Sequence, residues 1–221
     1  MPRTVRASVG GLCYHVINRG NARACVFHDS RDFHSFVSLM RQACVRIPMR
    51  IPAWCLMPNH FHFVLWPYQD GDLGSWMHWL LTSHVRRHHK RRGTDGRIWQ
   101  GRFKAFPIEQ DVHLLTVMRY AERNPLRANL IERAEQWPWS SLHEIVKGEL
   151  SISLETPVER PGDWVAWTNE PQSTDEEAAL RLSIKRSRPY GGKTWILKTA
   201  TALGLEQSLQ NSGPRVRKLG T

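Results

Sequence analysis

An α+β fold built on an antiparallel sheet is predicted for this chain by three observations. Apolar runs of strand length alternate with segments of helical periodicity. A turn-forming dipeptide, Pro58-Asn59, separates two of the apolar runs, and residues suited to helix caps precede the periodic segments. The resulting order, β-α-β-β-α-β-α, is that of a ferredoxin-like sandwich with a central antiparallel sheet and helices on one face. A C-terminal helical extension is expected beyond it.

Each element has its own justification. Leu12 to Asn18 is strand-like, and Gly20-Asn21 breaks it. Ser30 suits an N-cap for a helix carrying Phe33, Phe36, Val37, Met40 and Val45 on one stripe, and Pro48 ends it. The run from Trp54 to Trp66 reads as two strands around Pro58-Asn59. Leu73, Trp76, Met77 and Leu80, followed by Leu81 and Val85, form the apolar side of a second helix with a basic outer face. Gly93 to Gly96 is a turn, and Arg97 to Ile108 is expected to be extended. Asp111 caps a third helix bearing Leu114, Leu115, Met118 and Ala121, with Pro125 at its end.

The 221 residues, 41% of them hydrophobic, suffice for one core of ordinary size plus an extension. No run approaches the ~20 apolar residues of a membrane span. Met1 to Arg6 carries charge with no apolar stretch after it, so no secretory signal is expected. Cys13, Cys25, Cys44 and Cys55 have no framework or C-x-x-C spacing and read as reduced thiols of a cytoplasmic, nucleoid-associated protein.

Charge points to a partner. The net charge is +11 with a pI near 10.1. Arg86, Arg87, Lys90, Arg91, Arg92, Arg97, Arg102 and Lys104 face only Asp95 between residues 84 and 104. Residues 181–221 carry nine bases (Arg181, Lys185, Arg186, Arg188, Lys193, Lys198, Arg215, Arg217, Lys218) against Glu206. Residues 144–179 are acidic, with Lys147 and Arg160 as their bases. The chain therefore divides into a domain over 1–145, an acidic connector over 146–180 and a basic, partly helical extension over 181–221. Two basic clusters around an acidic connector favour a polyanion, most plausibly nucleic acid. Trp79, Trp99, Phe103 and Phe106 beside the first cluster suit either the core or stacking on unpaired bases.

One constellation carries chemistry. His60 and His62 flank Phe61, so in a strand both imidazoles project from one face while Phe61 and Phe63 project from the other. Tyr120 and Asn124 lie one helical turn apart on the third helix. Together they offer two imidazoles, an amide oxygen and a hydroxyl. Imidazole plus oxygen suits a divalent Mn²⁺ or Mg²⁺ that would polarise a phosphodiester while Tyr120 attacks phosphorus. Other histidines are weaker candidates. His84, His88 and His89 stand in an Arg-rich helix and are expected to be solvated or phosphate-facing, and His15 is expected on the sheet's wet face. Gly191-Gly192-Lys193-Thr194 lacks the first glycine of a phosphate-binding loop, because position 186 is Arg, so no nucleotide cofactor is expected.

Taken in order, several stretches resemble the REP-associated tyrosine transposases, relatives of single-tyrosine IS200-like transposases among the HUH single-strand endonucleases. They are Tyr14 to Asn21, Met57 to His62, Trp99 to Phe103, Arg119-Tyr120 through Asn124 to Ala128, and Trp137 to Ser141. The tail, with Trp164, Asn169 to Pro171, Arg188 to Gly191 and Leu203 to Glu206, is similar to that family's extension. The resemblance implies that His60, His62 and Asn124 hold the metal and that Tyr120 is the nucleophile. It also implies a substrate of single-stranded DNA beside hairpin-forming palindromic repeats, nicked through a 5′-phosphotyrosine. Arg19, Arg102 and Arg127 in these stretches and Lys104 beside them, with Arg86, Arg87, Lys90, Arg91 and Arg92, are the expected DNA contacts. A monomer is expected, with a dimer as the alternative state. The alternative function is a non-catalytic, hairpin-binding regulator that keeps the fold. The end of the tail, Gly213 to Lys218, suits DNA binding, covering of the site, or a flexible basic end.

Overall fold

The structure, a computed structural model, describes residues 8–210. Its centre is a four-stranded sheet of β1 (Cys13–Arg19), β2 (Met49–Met57), β3 (His60–Pro67) and β4 (Lys104–Ile108). The strand order is β2-β3-β1-β4 and every neighbouring pair is antiparallel. Pro58-Asn59 forms the two-residue link between β2 and β3, as the sequence predicts. β2 begins earlier than Trp54. Pro52, which cannot donate to a ladder, sits where the β2–β3 register shifts between Arg50 and Ala53, on an edge strand that tolerates it.

Helices cover both faces, which corrects the expectation of a single helical layer. On one face Tyr14, Val16, Trp54, Leu56, Phe61, Phe63 and Leu65 form one core with helices α1 (Ser30–Arg46) and α2 (Asp72–Arg92). On the other, Cys13, Ala53, Val64, Phe106 and Ile108 meet Leu114, Val117 and Met118 of α3 (Val112–Glu122). The physical reason is the second apolar set on alternate strand positions. Left wet, Val64, Phe106 and Ile108 would each forfeit about 1.5–3 kcal/mol of burial. His15 consequently lies fully buried beneath α3 and not on a wet face.

Several local expectations shift. The N-cap of α1 is Asp29, whose side chain accepts from the Asp32 N–H, and Ser30 is the first helical residue. Val45 is exposed and leaves the apolar stripe. Of the segment 97–108 only Lys104–Ile108 is a strand. β1 has turned away at Gly20, and residues 98–100 attach to its end by the Asn21 N–H to Ile98 O and Gln100 N–H to Arg19 O bonds. Gly20 is required there, because a Cβ would come within 2.2 Å of Ala24 O. Asp111 does cap α3.

Beyond a short helix α4 (Asn124–Arg127), which opens with Pro125 in its first turn, the chain forms α5 (Ser141–Lys147) and α6 (Trp164–Asn169). Helices α7 (Thr174–Arg186) and α8 (Lys193–Ala202) complete the expected helical extension. Trp164 and Leu180 join the α3 core. Tyr190 extends the sheet edge, donating its N–H to Pro107 O and accepting from the Glu109 N–H. Residues 211–221, including Gly213 to Lys218, lie outside the described residues. No described helix is long and apolar enough to cross a membrane.

Candidate active site

β3 carries His60 and His62, and the β1–β3 register sets Ile17 opposite His62 and Arg19 opposite His60. Phe61 and Phe63 stack on each other at 4.3 Å in the opposite core, which fixes the strand's orientation and thereby turns both imidazoles toward α3. α3 contributes Tyr120, whose ring meets His62 edge-on at 5.5 Å between centroids. Asn124 opens α4 and is not on the third helix as expected. Arg123 between them keeps helical dihedrals, so Asn124 still reaches the histidines. Its Nδ2 lies 3.0 Å from His62 Nε2. The four residues singled out from the sequence thus converge.

Both imidazoles have their far nitrogens engaged. Asn59 Oδ1 lies 2.6 Å from His60 Nδ1, and as an acceptor it holds the His60 proton there and leaves Nε2 with its lone pair. His62 Nδ1 lies 2.9 Å from His15 Nε2. Burial, with Arg19 adding repulsion, lowers His60 to about 4, and burial followed by the neighbouring His60 and His15 holds His62 well below the usual histidine value. Burial alone takes His15 to about 3. Neutral imidazoles are the form that binds a metal. Two such nitrogens beside one amide fit a divalent ion with coordination positions to spare for phosphate oxygens and water, so the residues present suit Mn²⁺ or Mg²⁺.

Tyr120 is buried apart from the face it turns to a cleft of ≈ 350 Å³ that it shares with His60 and His62. Burial raises its hydroxyl pKa, while Arg127, Arg181 and Arg19 oppose that rise. Arg127 donates from NH2 to the hydroxyl at 3.2 Å and lies over the ring at 4.9 Å. Arg19, Lys104, Arg181 and Lys185 line the same cleft, and Arg102 lines a hollow beside it with Asn18 and Gln100. Arg19 Nε and Arg127 Nε are buried without a protein acceptor, while both side chains line the cleft.

The remaining basic residues sit elsewhere. Arg86, Arg87, Lys90, Arg91 and Arg92 ride on α2, across the sheet from the histidines. Arg91 pairs with Asp29 at 2.7 Å and also with Asp32, and Arg92 pairs with Asp32 at 2.6 Å. Arg87 reaches Gln42 at 3.3 Å. His84, expected on that surface, is instead buried, with its ring against Phe36 at 5.0 Å and Trp99 at 5.3 Å. It lies on the inner stripe of α2 one turn beyond Leu80, a spacing that could have placed it. At the start of α8, Glu109 accepts from the Gly192 N–H at 2.7 Å, so a side chain of this chain already fills that helix end.

Sequence reasoning gave His15 and Asn59 no part beside the histidine pair, whose far nitrogens they meet, and it placed Arg181 and Lys185 in the basic tail cluster without setting them at the cleft. Asn59 had a signal, since it precedes His60 directly. The signal for Arg181 and Lys185 was their four-residue spacing on one side of a helix.

Fold and site together define an α+β protein with a strand-borne histidine pair facing a helix-borne tyrosine. A family model described as "Transposase IS200 like" matches residues 8–124, and the chain belongs to that family. A Haemophilus influenzae protein named for the REP-associated tyrosine transposases is 28% identical over 127 residues, covering 53% of this chain and 72% of that protein. The REP-associated tyrosine transposase of Escherichia coli K12 is 25% identical over 141 residues, covering 62% and 79% respectively. A solved structure of a REP-associated tyrosine transposase bound to a REP hairpin shares the fold, with a TM-score of 0.52, 19% identity, and coverage of 70% of this chain and 90% of that one.

Proposed function

We propose that this protein is a metal-dependent endonuclease and strand transferase for single-stranded DNA. It nicks beside hairpin-forming repeats through a covalent 5′-phosphotyrosine. The observation that carries the proposal is the convergence of His60, His62 and Tyr120 on one cleft ringed by Arg19, Lys104, Arg127, Arg181 and Lys185, with Asn124 against His62. His60 Nε2, His62 Nε2 and the Asn124 amide oxygen would hold the divalent ion, which when bound supplies a Lewis acid for the scissile phosphate.

The chain's own groups do the rest. Arg19 and Lys104 hold the phosphate backbone in the cleft, and Arg127 fixes the Tyr120 hydroxyl and compensates developing negative charge there. Tyr120 Oη attacks phosphorus, the bond from phosphorus to the 3′ oxygen breaks, and a 5′-phosphotyrosine and a 3′-hydroxyl result. One proton leaves Tyr120 and one is taken up by the departing oxygen, so the step is proton-neutral. In the reverse sense a 3′-hydroxyl attacks the phosphotyrosine and reseals a strand with no nucleotide cofactor. The partner is hairpin DNA with a single-stranded flank.

The test is incubation of a hairpin oligonucleotide with Mn²⁺ and the wild-type, Tyr120→Phe, His60→Ala, His62→Ala and Asn124→Ala proteins. Wild type is expected to give a covalent adduct that survives denaturing electrophoresis. Tyr120→Phe loses it while binding the oligonucleotide as wild type does, either histidine variant abolishes it, and Asn124→Ala weakens it. An adduct from Tyr120→Phe, or undiminished cleavage in EDTA, would overturn the mechanism. Tight hairpin binding with no adduct under any metal would instead select the non-catalytic regulator.

A further inference from the structure

We infer that His15 is a positioning residue for His62: its Nε2 accepts a hydrogen bond from His62 Nδ1–H and so keeps the His62 Nε2 lone pair turned toward Asn124. The inference rests on the metal reading above and deepens it. The Nε2–Nδ1 separation is 2.9 Å, and both rings are buried. A neutral imidazole carries a single N–H, so this contact has two possible directions. The role of Nε2 decides between them. Asn124 faces His62 Nε2 at 3.0 Å, and an Nε2 that is to bind the metal beside Asn124 must be the nitrogen without a proton. His62 therefore carries its proton on Nδ1 and donates to His15 Nε2.

The consequence falls on His15. Its own proton is displaced to Nδ1, and that atom is buried without a partner. A buried unsatisfied donor is a local cost that native structures rarely retain without a use. Here the use is to fix the tautomer of His62 with an uncharged acceptor. A carboxylate at that place would accept more strongly, but it would add negative charge beneath a site whose other surroundings, Arg19 and Arg127, favour phosphate. Phe106, 5.0 Å from the His15 ring, and Tyr120, 6.2 Å away, pack beside the ring and hold it in place. The position on β1 is fixed by register, because His15 pairs with Val64 on one side and Phe106 on the other.

Two measurements test this. In long-range ¹H–¹⁵N spectra of the metal-free full-length protein labelled at histidine, with His62 assigned by its loss in His62→Gln, His62 should show a protonated Nδ1 and a bare Nε2. Mn²⁺ affinity, read by titration without DNA, should fall about 10- to 100-fold in His15→Phe, the range for partners of metal-binding histidines. It should recover most of that loss in His15→Gln, whose amide can again accept. A His62 proton on Nε2 in the wild type overturns the inference, as does wild-type Mn²⁺ affinity in a folded His15→Phe protein. If His15→Phe does not fold, the wild-type spectra still decide. If the wild type binds no Mn²⁺, the metal reading fails, while the nitrogen shifts separately accept or reject the role of His15.

Discussion

Salt dependence offers a quantitative way to find which basic residues meet DNA. The structure separates two sets. Arg19, Lys104 and Lys185 line the cleft beside Tyr120, and none of these side chains has a carboxylate partner among the described ion pairs. Arg86, Arg87, Arg91 and Arg92 lie on α2, where Arg91 and Arg92 are engaged by Asp29 and Asp32. Each phosphate contact to a single strand contributes about 0.7 to the slope of log affinity against log salt. Replacing the three cleft residues by Ala should therefore flatten the slope by about 2. Replacing all four α2 arginines should flatten it by no more than about 1.4, since two of the four are held by acids. Binding of a fluorescent hairpin with a single-stranded flank, measured by anisotropy over a series of salt concentrations, reads both numbers. A change near 2.8 in the α2 variant, together with none in the cleft variant, would refute the assignment of the cleft as the path of the strand.

Three further outcomes follow from the packing. Asp32→Asn should destabilise the protein by roughly 1.5–3 kcal/mol in urea melts, the usual range for hydrogen bonds to charged groups, because Asp32 accepts from Arg91, Arg92 and the His28 N–H. Burial would raise the Asp32 carboxyl, but those three donors outweigh it and hold it below the ordinary value, while the Arg91 guanidinium takes Asp29 to about 2. Both carboxylates are lowered, so their stabilisation is complete above the ordinary carboxylate value and is lost as pH falls through their lowered values. The Asp32→Asn and wild-type melts should converge as pH falls below the ordinary carboxylate value, and a constant gap would refute the ion-pair account. Leu180→Ala should cost about 2–5 kcal/mol, as for other buried Leu truncations, and should expose the 170–190 segment to protease, because Leu180 joins α7 to the α3 core. Unchanged stability would mean that α7 is not docked.

The legible part of the site was the part governed by short periods. Strand alternation puts His60 and His62 together, and helical spacing puts Tyr120 near Asn124, with no knowledge of the fold. His15 was not legible, because its partnership depends on the β1–β3 pairing and on α3 closing over it, both tertiary choices. The same ignorance of what covers the second sheet face produced the wet-face assignment. His84 was misplaced because its neighbours Arg86 and Arg87 were allowed to speak for it, although it turns inward from that helix toward Phe36. The antiparallel sheet could be anticipated from the run of elements, whereas the reach of 181–210 back to β4 could not, since a tyrosine joining a sheet edge through backbone bonds leaves no side-chain pattern.

Arg119, immediately before Tyr120, is buried, and its guanidinium donates to the carbonyls of Trp167, Glu170 and Pro171 while lying over the Trp167 ring at 4.7 Å. Two residues beyond Tyr120 on the same helix, Glu122 accepts from the Ser141 hydroxyl and the Trp164 indole N–H. The helix that presents the tyrosine is thus clamped on either side of it by the chain that follows. Ending the chain near residue 145 would strip the acceptors from a buried guanidinium and bare the α3 core. A protein so shortened should misplace Tyr120 itself, so the smallest unit that holds this hydroxyl in register is longer than the sheet and the helices that touch it.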